Sequence, residues 1–343
     1  MSSLPYLNLA GYVTKCGVFL TLITNSLLIH LTYYHVMNIT LAYKCLICIM
    51  ALLGISFNMI EIVVHPFMHS FNGSFIYFSA SLASRDHRLG VALLTVYGLI
   101  YMLIIYCLAI QFIYRSFVVL SPSRLTLFQG ANFFIWVAYG IVCITVLMVA
   151  ITLILPDHYS RQYLSEEMSQ KYDIDVDFLP SYHVIAYDRN GTVRYRNLMG
   201  IFISAVLEMF HYGIMIYCSI KIHYGMKTIA TTTSPKIYRL QKQLFNTLLL
   251  QITVPTLFYN SPVLLMCSAP YFDLKLSFPS GLMVCCFSLY PAIDSLILMF
   301  MVGEYHRSLH KVLMRQITDL YKWGTKIAEA YSGEDAAEVE GRH

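Results

Sequence analysis

The chain has 343 residues, 57% of them hydrophobic and only 12% Asp, Glu, Lys or Arg, with a formal net charge of +4. Ordinary soluble domains carry roughly 25% charged residues, so this composition excludes a soluble globular protein and places most of the apolar surface against lipid. A hydrocarbon core about 30 Å thick needs ~20 apolar residues at helical rise, and lipid admits only spans whose backbone hydrogen bonds are internal.

In chain order, seven stretches meet that requirement, near 12–33, 41–65, 89–114, 131–155, 198–223, 243–266 and 281–302. The predicted fold is therefore an all-α membrane protein, a seven-transmembrane helix bundle, with no room for a separate soluble domain. Residues 1–11 are expected to lie outside the cell. Ten uncharged residues precede Gly11 with no cleavage-site pattern, so the first helix is expected to act as the insertion signal. No Asp, Glu, Lys or Arg occurs between Arg88 and Arg115, between Arg124 and Asp157, or between Lys242 and Asp273. The second, fifth and seventh stretches are each interrupted by one acid, Glu61, Glu208 and Asp294.

Lys and Arg in the connections set the orientation. With the N-terminus outside, fourteen fall inside and nine outside, and the three inner loops hold no acid. The sequons at Asn72 and Asn190 then lie outside, where glycosylation can occur, and that at Asn38 lies inside, where it is silent. The loop over 156–197 carries seven acids, five bases and a turn at Asn190-Gly191; it reads either as a solvated connector or as a cover over the outer mouth. From Glu304, Tyr305, Leu309, Leu313, Ile317 and Leu320 recur at three- and four-residue spacing opposite Arg307, Lys311, Arg315 and Lys322. That pattern predicts an amphipathic helix over 303–330 on the inner leaflet, in contact with membrane lipid or a cytoplasmic partner. The acidic, small-residue segment 331–343 is expected to be disordered.

Seven of the nine cysteines lie inside predicted spans, where they act as small apolar residues. Cys16 and Cys267 sit near outer ends, but the first and sixth helices of a ring are seldom neighbours, which disfavours a bridge. The outer loops hold no cysteine, so a bridge from the third helix to the second outer loop cannot form. The seventh span has no lysine for a Schiff base, and no phosphate-binding, nucleophile-elbow or dinucleotide motif occurs. No enzyme activity, cofactor or nucleic-acid partner is called for.

Ionisable side chains within spans are costly and face the bundle interior. Asn58, Glu61 and His65 are expected on one face of the second helix, Glu208 and His211 on one face of the fifth, and Asp294 one turn after Pro291. A metal shared by the two Glu/His pairs is a weaker reading than interior hydrogen bonding, because such spacings arise easily by chance. For Glu61 and Asp294 the favoured reading is hydrogen bonding that takes part in a conformational switch. Glu208 and His211, at middle depth, read equally as ligand contacts and as packing. Arg115, next to Tyr114, is either a snorkelling interface residue or a switch at the inner mouth. Pro255 and Pro291 each remove a backbone hydrogen bond and permit a kink. Kinked sixth and seventh helices flanking a basic inner loop suggest a bundle that opens on its cytoplasmic side.

LQKQLF at 240–245, LLLQITVPTLF to Phe258, APYFD at 269–273 and YPAID at 290–294 resemble the Str-type seven-transmembrane chemoreceptors of nematodes, a group that includes the diacetyl odorant receptor. IEIVVHPFMH at 60–69, IYRSF at 113–117, PD at 156 and IAY at 185 extend the resemblance over nearly the whole chain. The resemblance implies a G-protein-coupled receptor on sensory cilia. It places Tyr114 and Arg115 where rhodopsin-like receptors have the D-R-Y arginine, Pro291 and Asp294 in a P-x-x-D pattern, and Glu61 in a second-helix I-E motif. The chain departs from the diacetyl receptor around Glu208 and His211, and His65 stands where arginine is expected, so the ligand does not transfer. The expected ligand contacts are Tyr97, Tyr101, Glu208, His211, Tyr259 and Asn260; the expected switch residues are Glu61, Tyr114, Arg115, Pro255, Pro291 and Asp294. The expected partners are a small odorant-like molecule and a heterotrimeric G protein at the plasma membrane. The alternative is a ligand-gated channel of seven-helix subunits, as in insect odorant receptors, with its N-terminus inside. A transporter would show internal repeats and helices broken near the midplane, and the sequence signals neither.

Overall fold

A computed structural model describes residues 4–37, 39–81, 86–272 and 286–340; Asn38 lies outside them. The first two helices are α1, Leu4–Tyr34, and α2, Leu41–Val64. Helix α1 begins eight residues earlier than expected, within the segment read as an extracellular tail. Helix α2 stops at Val64 because Pro66 follows: the residue before a proline is driven from the helical region, and His65 takes a left-handed conformation (φ 45°) with its N–H on the Glu61 carbonyl at 2.8 Å. His65 is thus a helix cap and does not share a helical face with Asn58 and Glu61.

Helix α3, His87–Leu120, starts at Asp86, whose carboxylate accepts from the Arg88 backbone N–H at 2.9 Å. Two 3-10 turns, Pro122–Phe128 and Gly130–Phe133, lead into α4, Phe134–Thr152. The fifth span is α6, Tyr195–Thr232, which continues inward past the expected end at 223. The sixth is α7, Pro235–Pro255, prolonged by a π turn, Thr256–Asn260, into α8, Ser261–Ser268. The seventh is described from the 3-10 turn Cys286–Leu289 and runs as α9, Tyr290–Met301. Among the described residues, five helices are long and apolar enough to cross a membrane unaided; the sixth span changes from α to π winding after Pro255, and the start of the seventh lies outside the described residues. After Val302 the chain turns by 97° into α10, Gly303–Glu340. Its Tyr305 and Leu309 are buried against the bundle, while Leu313, Met314, Ile317, Tyr321 and Trp323 are exposed. The helical backbone reaches Glu340, past the expected end near 330.

One departure from an all-helical fold lies at the outer end. Strands β1, Pro66–Phe71, and β2, Ser74–Ser79, form a two-residue hairpin at Asn72-Gly73, and β3, Ser181–Ile185, from the long second outer loop, pairs antiparallel with β2. Asn72 takes the positive φ (49°) that such a turn requires. Side chains alternate across the sheet. Phe67, Ile76 and Phe78 face α5, His158–Tyr172, and pack on Leu164, Met168 and Tyr172; Met68, Phe75 and Val184 join the core of the bundle. The 156–197 loop is therefore a folded cover rather than a solvated connector. Cys16 and Cys267 are both free.

Two buried histidines lie under this cover. His69 shares hydrogen bonds with Glu167 (3.0 Å) and the Tyr172 hydroxyl (3.1 Å), and Lys171 reaches the same Glu167 carboxylate at 3.6 Å. His183 lies between the hydroxyls of Ser181 and Ser160, each at 2.9 Å. Burial holds both imidazoles below their ordinary range, His183 at about 3 with help from nearby Arg161. A lowered folded pKa means that the neutral rings stabilise the cover fully above about pH 6.5 and progressively less as pH falls toward the folded values, by up to ~1.4 kcal/mol per unit for each ring. The hydrogen-exchange protection factors of 66–79 and 181–185 are expected to fall between pH 7.5 and 5. Equal protection at both values would show that neither ring matters to the cover.

Candidate functional site

Polar side chains gather at three levels inside the bundle. At the outer level the Glu61 carboxylate accepts from Thr14 Oγ1 (3.1 Å) and the Tyr97 hydroxyl (3.4 Å), and Tyr97 stacks on Phe57 at 4.4 Å. One turn below, Asn58 donates to Thr21 Oγ1 (2.6 Å) and to the Ser288 carbonyl (2.9 Å). These contacts tie α1, α2, α3 and the start of the seventh span together. Tyr97, expected at the ligand, thus belongs to the Glu61 cluster.

The middle level is centred on the π turn of the sixth span. Pro255 has no N–H for the helical ladder, and the turn that follows re-aims the next residues. Asn260 then donates to the Tyr212 hydroxyl and accepts from the Tyr101 hydroxyl, while Thr256 Oγ1 donates to Tyr212 at 3.1 Å. Tyr101 also stacks on Phe287 at 6.0 Å. Glu208, one turn before Tyr212 on α6, has a buried carboxylate oxygen with no partner among the described residues, within electrostatic reach of Tyr212 and Cys267. His211 does not join it. Its Nδ1 donates to the Leu207 carbonyl (2.7 Å), and its Nε2 lies at 3.1 Å from the Tyr139 hydroxyl and 3.8 Å from Cys143 Sγ, in the seam between α6 and α4. Among the described residues no group of three or more His, Cys, Asp or Glu could hold a metal. The side chain of Tyr259 lies outside those described.

At the inner level Asp294 accepts from Gln251 and from Tyr290 (3.5 Å), linking the sixth and seventh helices. One residue on, Ser295 donates to Asn25 on α1, whose amide reaches the Pro291 carbonyl at 3.4 Å. Below this, Arg115 is only 4% exposed. Its Nη1 donates to Gln241 Oε1 at 3.1 Å, and its guanidinium lies 3.7 Å over the ring of Tyr43. Tyr43 stacks on Tyr114 at 5.4 Å, and the Tyr114 and Thr40 hydroxyls share a hydrogen bond. Arg115 is therefore a buried inner-mouth residue, not one that snorkels. Between the start of α7 and α10 lies a cleft of about 1030 Å³ lined by Lys236, Arg239, Gln241, Glu304 and Arg307 among others.

Residues 10–310 match the family described as serpentine type 7TM GPCR chemoreceptor Str. The chain belongs to that family. The receptor is 37% identical over 315 residues to the G-protein coupled receptor str-33 of Caenorhabditis elegans, covering 90% of this chain and 91% of that protein. It is 26% identical over 318 residues to the serpentine receptor class r-10 of the same organism, covering 91% and 93%. Squid rhodopsin superposes with a TM-score of 0.60 at 12% identity, covering 92% of this chain and 87% of its own, which places the fold among seven-transmembrane receptors. The receptor is thus a multi-pass, G-protein-coupled chemosensory protein, and none of these matches favours a channel. Its polar interior includes residues that sequence reasoning passed over. Tyr212 could have been found one turn after Glu208 and Gln241 within the LQKQLF motif; Tyr43 gave no signal, because it is an ordinary residue at a span's inner end.

Proposed function

We propose that the receptor holds a small, odorant-like ligand at the middle level of the bundle, against Tyr101, Tyr212, Thr256 and Asn260, with Glu208 at the edge. Binding there is passed along the sixth helix to the inner cleft, where Arg115 and the basic start of α7 meet a heterotrimeric G protein. Glu61 and Asp294 carry the helix contacts that differ between the two states, and Pro255 and Pro291 allow the change. The observation that carries this reading is the sixth span with its π turn: one element supplies Thr256 and Asn260 to the polar cluster and Lys236, Arg239 and Gln241 to the cleft. A shift of this element in favour of one pre-existing conformation is how a ligand's differential affinity becomes a signal. The resemblance to nematode chemoreceptors supports placing the receptor on sensory cilia of chemosensory neurons. Exposed turn positions at Asn72 and Asn190 suit glycosylation, and the exposed apolar stripe of α10 suits the inner leaflet.

The test is expression in cultured cells with a panel of volatile and water-soluble cues, recording G-protein dissociation and membrane current together. Dissociation without a direct current is expected; a current that persists with G-protein signalling blocked would overturn the reading. For the agonist so found, Asn260→Ala is expected to raise the half-maximal concentration about tenfold, ~1.4 kcal/mol, at unchanged surface expression. Unchanged potency would remove the π turn from the ligand site.

A further inference from the structure

On the lipid-facing side of the bundle, apart from the middle-level cluster and the inner cleft, α3 and α6 leave a groove of about 440 Å³ between them, lined by Ile113, Phe117, Phe210, Gly213, Ile214 and Tyr217 among others. The residues on α6 recur three and four apart and so form one face of that helix, and Phe210, Gly213 and Tyr217 are exposed on it. Gly213 is what opens the groove. Helix α6 carries three glycines, and the other two sit where a neighbouring helix comes close: a Cβ at Gly200 would lie 2.9 Å from the Ala150 carbonyl oxygen, and one at Gly225 would lie 2.5 Å from Leu120 Cδ2. A Cβ at Gly213 would meet nothing within 4 Å, so close helix packing does not account for a glycine there. The Ser116 hydroxyl in the wall is already spent on the Ile113 carbonyl at 2.8 Å, and the groove suits an apolar occupant.

The inner rim of the groove is cationic. Arg124, in the 3-10 turn after α3, holds its guanidinium carbon 5.9 Å from the centre of the Phe117 ring, and Lys221, one turn past Tyr217 on α6, holds its ammonium 5.6 Å from the centre of the Tyr217 ring. Both rings line the groove. Neither cation has an Asp or Glu within ion-pair distance among the described residues, and the inner loops carry no acid. We infer that this groove binds an anionic phospholipid of the inner leaflet, with its head group held by Arg124 and Lys221 and one acyl chain laid along α6 toward Phe210. From Lys221 to Phe210 the helix rises about 16 Å, which matches the ~15 Å depth of one leaflet's hydrocarbon. Cations at an inner face attract anionic lipid wherever they stand; the groove adds a seat for the chain, so that head and chain are recognised together. A sterol would fill the apolar part but brings only a hydroxyl to two cations, and a zwitterionic head brings them a cation of its own.

The test uses full-length receptor in nanodiscs of dioleoyl phosphatidylcholine, doped with either a phosphatidylserine or a phosphatidylcholine that carries the same diazirine-bearing acyl chain. After irradiation, mass spectrometry maps the labelled residues. In wild type the serine lipid is expected to label 113–117 and 210–218 about tenfold more than the choline lipid, as two cations at the surface imply. Gly213→Leu fills open space in the groove and keeps both cations; it is expected to cut that labelling about tenfold, because the chain loses its apolar seat, at unchanged surface expression. Arg124→Gln together with Lys221→Gln keeps the groove and is expected to bring the serine lipid down to the choline lipid's level. Equal labelling of the wild type by the two lipids would reduce the groove to ordinary contact with surrounding lipid and overturn the proposal, as would serine-lipid labelling that survives either set of substitutions. Labelling that added cholesterol displaces and added phosphatidylserine does not would overturn it in favour of a sterol. Should Gly213→Leu fail to reach the surface, the Arg124 and Lys221 pair decides alone.

Discussion

Arg115→Ala is expected to reduce agonist-stimulated G-protein activation below about a tenth of wild type, a loss of at least ~1.4 kcal/mol, while surface expression stays at the wild-type level. Both halves follow from the surroundings of one side chain. The substitution removes the cation that lies above Tyr43 and beside Gln241, so the planar guanidinium is no longer there to donate to a carboxylate or backbone carbonyl of the partner. It also removes two buried N–H groups without partners and leaves no unpaired charge behind, so the folded receptor loses little and its thermal stability is expected to be unchanged or higher. Arg115→Lys is expected to fail nearly as badly, because an ammonium lacks the planar fork and stacking face that the site is shaped around. The measurement is G-protein dissociation normalised to receptor at the cell surface. Normal signalling by the alanine variant would remove Arg115 from the switch.

Gly17→Leu is expected to abolish surface expression, with a destabilisation of ~3 kcal/mol or more. A Cβ at residue 17 would lie 2.5 Å from Ser288 Oγ and 2.8 Å from the Ser288 carbonyl carbon, so the neighbour that has to give way is backbone. The same seam holds the second close approach, Gly54 against Pro291, where a Cβ would lie 2.7 Å from the proline's. Moving α1 outward also separates Thr21 from the Ser288 carbonyl it donates to at 3.4 Å and from the Asn58 amide that donates to it at 2.6 Å. Helix association in lipid depends on close backbone approach at small residues and on such hydrogen bonds. Cell-surface labelling and the thermal aggregation temperature of solubilised receptor measure the effect. Normal values for both would mean that α1 does not lean on the seventh span as closely as these distances state.

The helices were legible in the sequence because lipid makes a demand that soluble folds do not: every span needs its own run of apolar residues, and the runs can be counted. What lay between them was harder. His65 is misplaced in the sequence reading because its four-residue spacing from Glu61 suggests a continuing helix, whereas Pro66 ends it at Val64. Glu208 and His211, three apart, differ by about 60° around an α-helix, enough to send one toward the sixth span and the other into the seam with α4. Asn260 is named from the sequence as a ligand contact, yet no helical wheel drawn through Pro255 would place it, because the π turn re-phases every residue beyond it. The hairpin was within reach, since PFMHSF-NG-SFIYFS carries the asparagine-glycine signal between two strand-like runs, but Asn72 was read only as a sequon. The third strand, about a hundred residues on, gave no such signal, for its pairing partner is set by the bundle beneath.

That sheet also says something about the milieu the receptor tolerates. The first and second outer loops are joined by a ladder of backbone hydrogen bonds from Ser74–Ile185 to Phe78–Ser181, and neither loop contains a cysteine. Thiols, glutathione or a shift in ambient redox potential therefore have nothing to cleave there, and this sheet keeps its architecture in reducing and oxidising surroundings alike.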